Sequence, residues 1–333
     1  MSEQQFTVYR VGGGARGSLE DERIALEKVG ARHVVIERTH GDDDLLEHAG
    51  DADGVIIVES PVSRQAMEKM DRLKVVLRTG VGVDVVDIDA ATDLGIAVVN
   101  IPDLWIREVA NHAMALLLAC NRRLLLHDSG LRSGNWTPTA SPVGSIHGET
   151  VGILGMGRIG SAFAARAAAF EMEVIAYDPY LPSDAFARSG AESVTFDELL
   201  RRSDYISMHT PRTNETTHII DEAALRQMKP SAYVINTSRG PVVDQAALVK
   251  ALSEGWIAGA GIDVFEIEPP DENDPLLKMD NVIVTPHSAF YSDAAVRQVP
   301  ARCGEEIARV LTGRLPMNLY NPAVLEKQPL KAD

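Results

Sequence analysis

The chain has 333 residues, 45% of them hydrophobic, and a formal net charge of −16. That length exceeds most single cores, so two domains are expected, and the composition is that of a globular protein rather than a disordered or fibrous one. An acidic surface of this size repels phosphate backbones and anionic lipid, which argues against nucleic acid or a membrane as partner and obliges any site for an anionic substrate to carry its own cation.

In chain order, the N-terminal MSEQQFTVYR enters a strand-like pattern directly, without the basic-then-apolar order of a secretory leader. Short β-like runs then alternate with helical patterns: FTVYRV and a helix over 18–30, HVVIE and 42–48, GVIIV and 63–70, KVVLRTG and 85–94, then IAVVN. This alternation predicts βαβ units and a parallel sheet. The most apolar stretch, 106–126, is interrupted by Arg107, Glu108, Asn111, His112, Asn121, Arg122 and Arg123 and so is no membrane span. It reads as one long helix, on the order of 30 Å at about 1.5 Å per residue, packed against a domain or a second subunit.

A loop rich in Ser, Gly, Pro and Trp follows at 133–148. A second alternating series then runs through TVGILG, EVIAYD, DYISMHT, AYVINTS, GAGIDV and NVIVTP, with helical stretches at 158–170, 196–201, 221–228 and 245–254. Strands such as VGILG and YVINT are apolar on both faces, as a parallel sheet covered on both sides requires. A last helix is expected near 294–311. Cys120 and Cys303 lie far apart with no metal-like spacing, so no disulfide framework and no metal site is expected, and the thiols fit a reducing, cytoplasmic setting. The fold class is α/β, with two doubly wound parallel-sheet domains.

Gly155-Met156-Gly157-Arg158-Ile159-Gly160 follows an apolar strand and opens an Ala-rich helix. A lone GxGxxG is weak, but here a second strand follows at 173–177 and ends on Asp178, 18 residues past the third glycine. Gly155 allows the tight turn, Gly157 lets a pyrophosphate approach the backbone, and Gly160 lets helix and strand pack closely. The helix N-terminus offers N–H groups and partial positive charge to the diphosphate. Asp178 can accept from ribose hydroxyls and repel the extra phosphate of NADP, so the expected cofactor is NAD.

RTGVGVD (78–84), the nucleotide loop, HTPRTNETTHII (209–220), NTSRGPVVD (236–244), GIDVFEIEPP (261–270) and TPHSAF (285–290) together resemble the D-isomer-specific 2-hydroxyacid dehydrogenase family. Within it, AATDLGIAVVNIP, YDPY, TPHSAFYSDAAV and TGRLP are most similar to the C-terminal-binding-protein branch, which includes transcriptional corepressors. The resemblance implies a Rossmann NAD-binding domain over 103–290. It is inserted into a flavodoxin-like substrate domain made of 1–102 and 291–333, with a cleft between the two and a homodimer formed through the nucleotide domain.

Reducing a small 2-keto acid to its D-2-hydroxy acid needs a proton donor at the carbonyl oxygen and a cation for the carboxylate, besides the cofactor. His287 fits the first role, since an imidazole ordinarily exchanges a proton near neutrality. The family places a carboxylate, here Glu268, against that imidazole, which fixes its tautomer and favours its charged form. Arg239, after NTS at a strand end, offers a planar fork suited to the carboxylate–carbonyl unit. By resemblance, Asp263 holds the nicotinamide carboxamide; His209, Thr210, Pro211 and Thr216 line the adenosine and phosphates; Thr237, Ser238 and Ala289 contact the nicotinamide side. Val81 and Gly82 bind the substrate carboxylate through backbone N–H groups.

Asn111 stands where the family pattern has an acidic residue, and Phe290 supplies an aromatic wall that would favour a hydrophobic substrate side chain. Two other readings share the same residues: an NAD(H)-sensing corepressor-like interaction protein, and a short phosphoglycerate dehydrogenase.

Overall fold

The computed structural model describes residues 6–12, 18–137 and 143–332. The first five residues of the N-terminal pattern and positions 138–142 of the Ser/Gly/Pro/Trp loop lie outside the described residues. The chain divides into two compact units, Met1–Trp105 with Ser292–Asp333, and Ile106–Tyr291.

In the first unit five strands, β1 (Phe6–Val11), β2 (Ala31–Ile36), β3 (Gly54–Ile57), β4 (Val75–Arg78) and β5 (Ala97–Asn100), pair in parallel in the order β2-β1-β3-β4-β5. That is the flavodoxin-like order. Helices α1 (Glu20–Glu27), α2 (Asp42–Ala49), α3 (Arg64–Lys69) and α4 (Ile88–Leu94) connect them. The helix read at 85–94 starts three residues later because Asp87 caps it, accepting from the Ala90 N–H at 2.9 Å, while Val86 bridges to Val62. A long C-terminal helix packs against α1, where a Cβ on Gly304 would stand 2.8 Å from the Glu22 carbonyl oxygen. Beneath that contact the buried Arg10 pairs with the buried Glu22 at 2.7 Å, and His33 meets the same carboxylate at 2.9 Å.

The second unit opens with α5 (Ile106–Asn121) and α6 (Leu124–Arg132). Seven strands follow: β6 (Thr150–Leu154), β7 (Glu173–Tyr177), β8 (Glu192–Ser193), β9 (Tyr205–Met208), β10 (Tyr233–Asn236), β11 (Gly259–Ile262) and β12 (Val282–Val284). They are all parallel, in the order β12-β11-β10-β9-β6-β7-β8. The order reverses beside β6, which makes the crevice between the carboxyl ends of β6 and β9 the place where such sheets bind ligands. The Ala-rich α7 (Arg158–Ala169) buries Phe163, Ala164 and Ala167 on one stripe against β6; a fully buried side chain of the size of Phe163 contributes about 2 kcal/mol. Between β7 and β11 the connections are α8 (Ser183–Arg188), α9 (Phe196–Arg202), α10 (Glu222–Gln227) and α11 (Gln245–Glu254). The C-terminal helix of the first unit is α12 (Asp293–Leu311), which runs through Pro300.

One sequence reading is corrected. The stretch 106–126 is not one helix: it breaks after Asn121, and Arg123 takes a left-handed backbone (φ 51) before α6 begins. Tertiary contacts fix the break. Asn121 donates to the Tyr205 hydroxyl at 2.9 Å, and the Arg123 guanidinium lies over the Tyr233 ring at 5.7 Å.

Candidate active site

The nucleotide loop is built by glycine where close approach demands it. Gly155 has φ +92, and a Cβ there would stand 2.9 Å from the backbone carbon of His209; on Gly160 it would stand 2.2 Å from the Gly155 carbonyl oxygen. Gly157 differs, because a Cβ there would meet nothing within 4 Å. The first and third glycines are therefore required by the fold itself, whereas the second faces open space at the N-terminus of α7, as a diphosphate cradle requires. Met156 is buried between them, Arg158 is exposed and Ile159 half-buried.

Asp178, at the end of β7, accepts from the Met156 N–H at 2.9 Å and from the Tyr180 N–H at 3.0 Å. Its carboxylate thus ties the glycine loop to the second strand end, where ribose hydroxyls would be met. After β9 comes His209. Part of the residue reaches solvent, but its imidazole is sunk against Phe163 (ring centroids 5.0 Å), with Nε2 2.9 Å from Ser207 Oγ and Nδ1 buried without a protein partner. Burial pushes its pKa down to about 3, so it is neutral. Thr210 and Pro211 lead into a turn in which Thr216 Oγ1 donates to the Pro211 carbonyl at 2.7 Å.

Thr237 Oγ1, after β10, is a second buried polar atom without a protein partner. The orphaned atoms on His209 and Thr237, the open Gly157 and the carboxylate at Asp178 together fit a dinucleotide lying along the strand ends.

Three neighbouring strand ends carry the candidate chemistry. After β10, Asn236 folds the chain back: its Oδ1 accepts from Ser238 N–H and Oγ, and its Nδ2 donates to the Arg239 carbonyl at 3.0 Å. Arg239 Nη1 donates to the Ser238 carbonyl at 2.7 Å. Gly240 then lies against the backbone after β11, and the Gln245 side chain accepts from the Glu266 N–H at 3.1 Å. In that same loop Glu268 accepts from the Phe265 N–H at 2.9 Å with one oxygen and meets His287 Nδ1 at 2.7 Å with the other. Burial would raise the Glu268 pKa, but the hydrogen bond and charge at His287, the Phe265 N–H and the Arg239 guanidinium outweigh it and hold the carboxyl below its ordinary range. Glu268 thus engages Nδ1, and about two-fifths of the His287 side chain is exposed.

Asp263, fully buried at the end of β11, accepts from Ser288 N–H at 2.9 Å and Ala289 N–H at 3.0 Å. Phe290 stands edge-on to His287, 6.4 Å between centroids. Val81 and Gly82 belong to the other unit, in the half-buried loop after β4, where the Val81 carbonyl accepts from Asn100 at 2.6 Å.

Sequence reasoning missed Asn236, Gly240 and Gln245, which shape the two loops bearing Arg239 and Glu268. It also missed His112 and Thr285, which meet at 3.0 Å. The NTSRG run held a signal for the first two, while Gln245, His112 and Thr285 are joined to the site only by tertiary contacts. Asn111, the departure from the family pattern, accepts from Arg166 Nε at 2.7 Å and so links α5 to α7. Among the described residues, no helix is long and apolar enough to cross a membrane.

Residues 114–289 match the family model for the NAD-binding domain of D-isomer specific 2-hydroxyacid dehydrogenases. The chain is 41% identical over 290 residues to the glyoxylate reductase of Korarchaeum cryptofilum, covering 86% of this chain and 87% of that one. It is also 41% identical over 314 residues to the D-3-phosphoglycerate dehydrogenase of Methanocaldococcus jannaschii, covering 93% of this chain and 59% of the longer relative. The D-lactate dehydrogenase of Aquifex aeolicus, solved with NAD and lactic acid, superposes with a TM-score of 0.82 at 28% identity, covering 96% of this chain and 98% of that one. The chain belongs to the D-isomer specific 2-hydroxyacid dehydrogenase family and is an NAD-dependent oxidoreductase acting on a CH–OH group.

Proposed function

We propose that this chain reduces a small 2-keto acid to its D-2-hydroxy acid. The observation that carries the reading is the convergence of Arg239, Glu268 and His287 on the ends of the adjacent strands β10, β11 and β12, with Glu268 and His287 2.7 Å apart. The 41% identity to a glyoxylate reductase supports the substrate class.

In this reading His287 donates a proton to the carbonyl oxygen as it becomes an alkoxide. Glu268 holds the imidazole by Nδ1 so that the other ring nitrogen faces the substrate. Arg239 draws the carboxylate and carbonyl oxygens into one plane, stabilising the developing charge in a protein that is otherwise strongly acidic. The loop at Val81–Gly82 carries backbone N–H groups suited to a carboxylate. Gly155, Gly157 and Gly160 with Arg158 would take the diphosphate, Asp178 the ribose, and Thr237, Ser238, Asp263 and Ala289 the nicotinamide end. Bound there, NADH supplies the hydride for the carbonyl carbon. After transfer the neutral His287 regains its proton from solvent.

The match to a D-3-phosphoglycerate dehydrogenase over 93% of this chain favours one second reading, oxidation of a phosphorylated hydroxy acid. Assaying NADH consumption with glyoxylate, pyruvate and phenylpyruvate, and NAD reduction with 3-phosphoglycerate, separates the two. Highest catalytic efficiency on 3-phosphoglycerate would replace the first reading by the second. Phe290, beside His287, leads us to expect a longer or aromatic keto acid to be used at least as well as glyoxylate.

We further infer a homodimer in the cytoplasm. None of the α6 side chains is buried, and Leu124, Leu125, Leu126 and Leu131 are exposed on it. A second copy would cover that face. The two free cysteines are buried, in keeping with a reducing compartment.

A further inference from the structure

His287 has a left-handed backbone (φ 49). A residue with a side chain holds that strained conformation only where its surroundings over-determine it. Here much of the backbone's surroundings is one buried residue, Asp263. The Asp263 carbonyl accepts the His287 N–H at 2.8 Å. Asp263 Oδ1 accepts the Thr285 hydroxyl at 2.5 Å and the Ser288 N–H at 2.9 Å, while Oδ2 accepts the Ala289 N–H at 3.0 Å. The residues on both sides of His287 are thus wrapped around Asp263.

The Thr285 hydroxyl is also met from α5, by His112 Nε2 at 3.0 Å, with the same nitrogen 3.6 Å from Asp263 Oδ1. The direction of this chain of hydrogen bonds follows from chemistry. An ionised carboxylate only accepts, so Thr285 donates its single proton to Asp263. Its oxygen must then accept, and the donor is the Nε2–H of His112. That N–H locks the Thr285 hydroxyl in the rotamer that reaches Asp263 and brings a positive dipole end towards a fully buried negative charge.

We propose that His112 is a positioning residue for proton transfer at His287, acting through Thr285 and Asp263. Without the His112 N–H, the Thr285 hydroxyl is free to rotate and Asp263 loses a donor. The turn then relaxes towards ordinary backbone angles and carries the imidazole off the line set by Glu268. A shift of about 1 Å in a reacting group costs on the order of 100-fold in rate. The inference rests on the reading of His287 as proton donor.

The test compares H112F, which keeps a planar ring without an N–H; H112Q, whose amide restores a donor; T285V, which keeps the shape without the hydroxyl; and H112F/T285V. The kcat and KM are measured on glyoxylate and pyruvate, NADH dissociation constants by fluorescence, and Tm for each variant. We expect H112F and T285V each to lower kcat by about 10–100-fold with NADH affinity within about threefold of wild type. H112Q should recover most of the loss, and the double variant should be no worse than the poorer single one, because both changes cut the same chain. Wild-type kcat in H112F, no rescue by H112Q, multiplicative losses in the double variant, or losses of kcat that merely follow Tm and NADH affinity would each overturn the proposal. H287N is run beside them. Full turnover in H287N would remove the proton-donor reading itself, whereas an inactive H287N with a normal H112F would remove only the role of His112.

Discussion

A Cβ on Gly240 would stand 1.9 Å from the carbonyl oxygen of Phe265. The turn that presents Arg239 is therefore seated directly on the backbone whose N–H anchors Glu268. Two pieces of sequence about 25 residues apart can bring a guanidinium and a carboxylate to one place only because nothing larger than hydrogen separates them. Gly240→Ala should push these loops apart. We expect a destabilisation of about 1–3 kcal/mol, typical of overpacking, read as a lower midpoint in urea unfolding, with a fall in kcat larger than that seen on mutating exposed residues nearby. Full activity and stability in this variant would mean the seating is dispensable.

The glycines of the nucleotide loop should separate by function. Gly160→Ala places a methyl 2.2 Å from the Gly155 carbonyl oxygen and should lower Tm. Gly157→Ala meets no protein atom within 4 Å, so Tm should hold. Its methyl instead occupies the diphosphate approach, and the NADH dissociation constant should rise on the order of tenfold, about 1.4 kcal/mol. Fluorescence titration beside thermal unfolding checks both. Equal effects of the two variants on Tm would contradict the assignment of Gly157 to the cofactor.

Glu268 makes a pH prediction whose sign is fixed. Its carboxyl is held below its ordinary range in the folded chain. A group whose folded pKa is depressed stabilises above its unfolded value, about 4.3 for Glu, and loses that contribution as pH falls through the lower folded value. The difference in unfolding midpoint between wild type and E268Q should shrink as the pH falls below about 4. At neutral pH E268Q should also lower kcat by on the order of 100-fold, since the carboxylate that holds His287 by Nδ1 is lost. A stability gap that widens on acidification would contradict this.

Much of this was legible in the sequence, for physical reasons that also explain what was not. Strands such as Val151–Leu154 and Tyr233–Asn236 are buried at every position, so their unbroken apolar runs announced a covered parallel sheet. Gly155, Gly157, Gly160 and Asp178 could be read because backbone geometry fixes their spacing. The break between α5 and α6 could not, because leucines continue across it and a left-handed Arg123 leaves no glycine or proline as a mark. The short α8 and the two-residue β8 fell below any periodic signal. The meeting of His112 with Thr285 spans 173 positions of sequence and exists only in the folded sheet.

The exposed face of α6 leads to a prediction about assembly. Leu125→Asp should shift the protein from dimer to monomer in sedimentation velocity, leaving circular dichroism unchanged, because no α6 side chain contributes to the core of its own unit. A wild-type protein that sediments as a monomer at micromolar concentration would remove the dimer.

The central claim is that His287, steadied by Glu268, supplies the proton for keto-acid reduction. The most direct measurement is single-turnover NADH oxidation by the best keto acid of the panel, in wild type, H287A and R239A, with NADH binding followed in the same samples. The account predicts that NADH binds all three with similar affinity, while the oxidation rate falls by about 10²–10⁴-fold in H287A, the range for loss of a general acid, and by a comparable order in R239A. Turnover in H287A at the wild-type rate with NADH bound would contradict it.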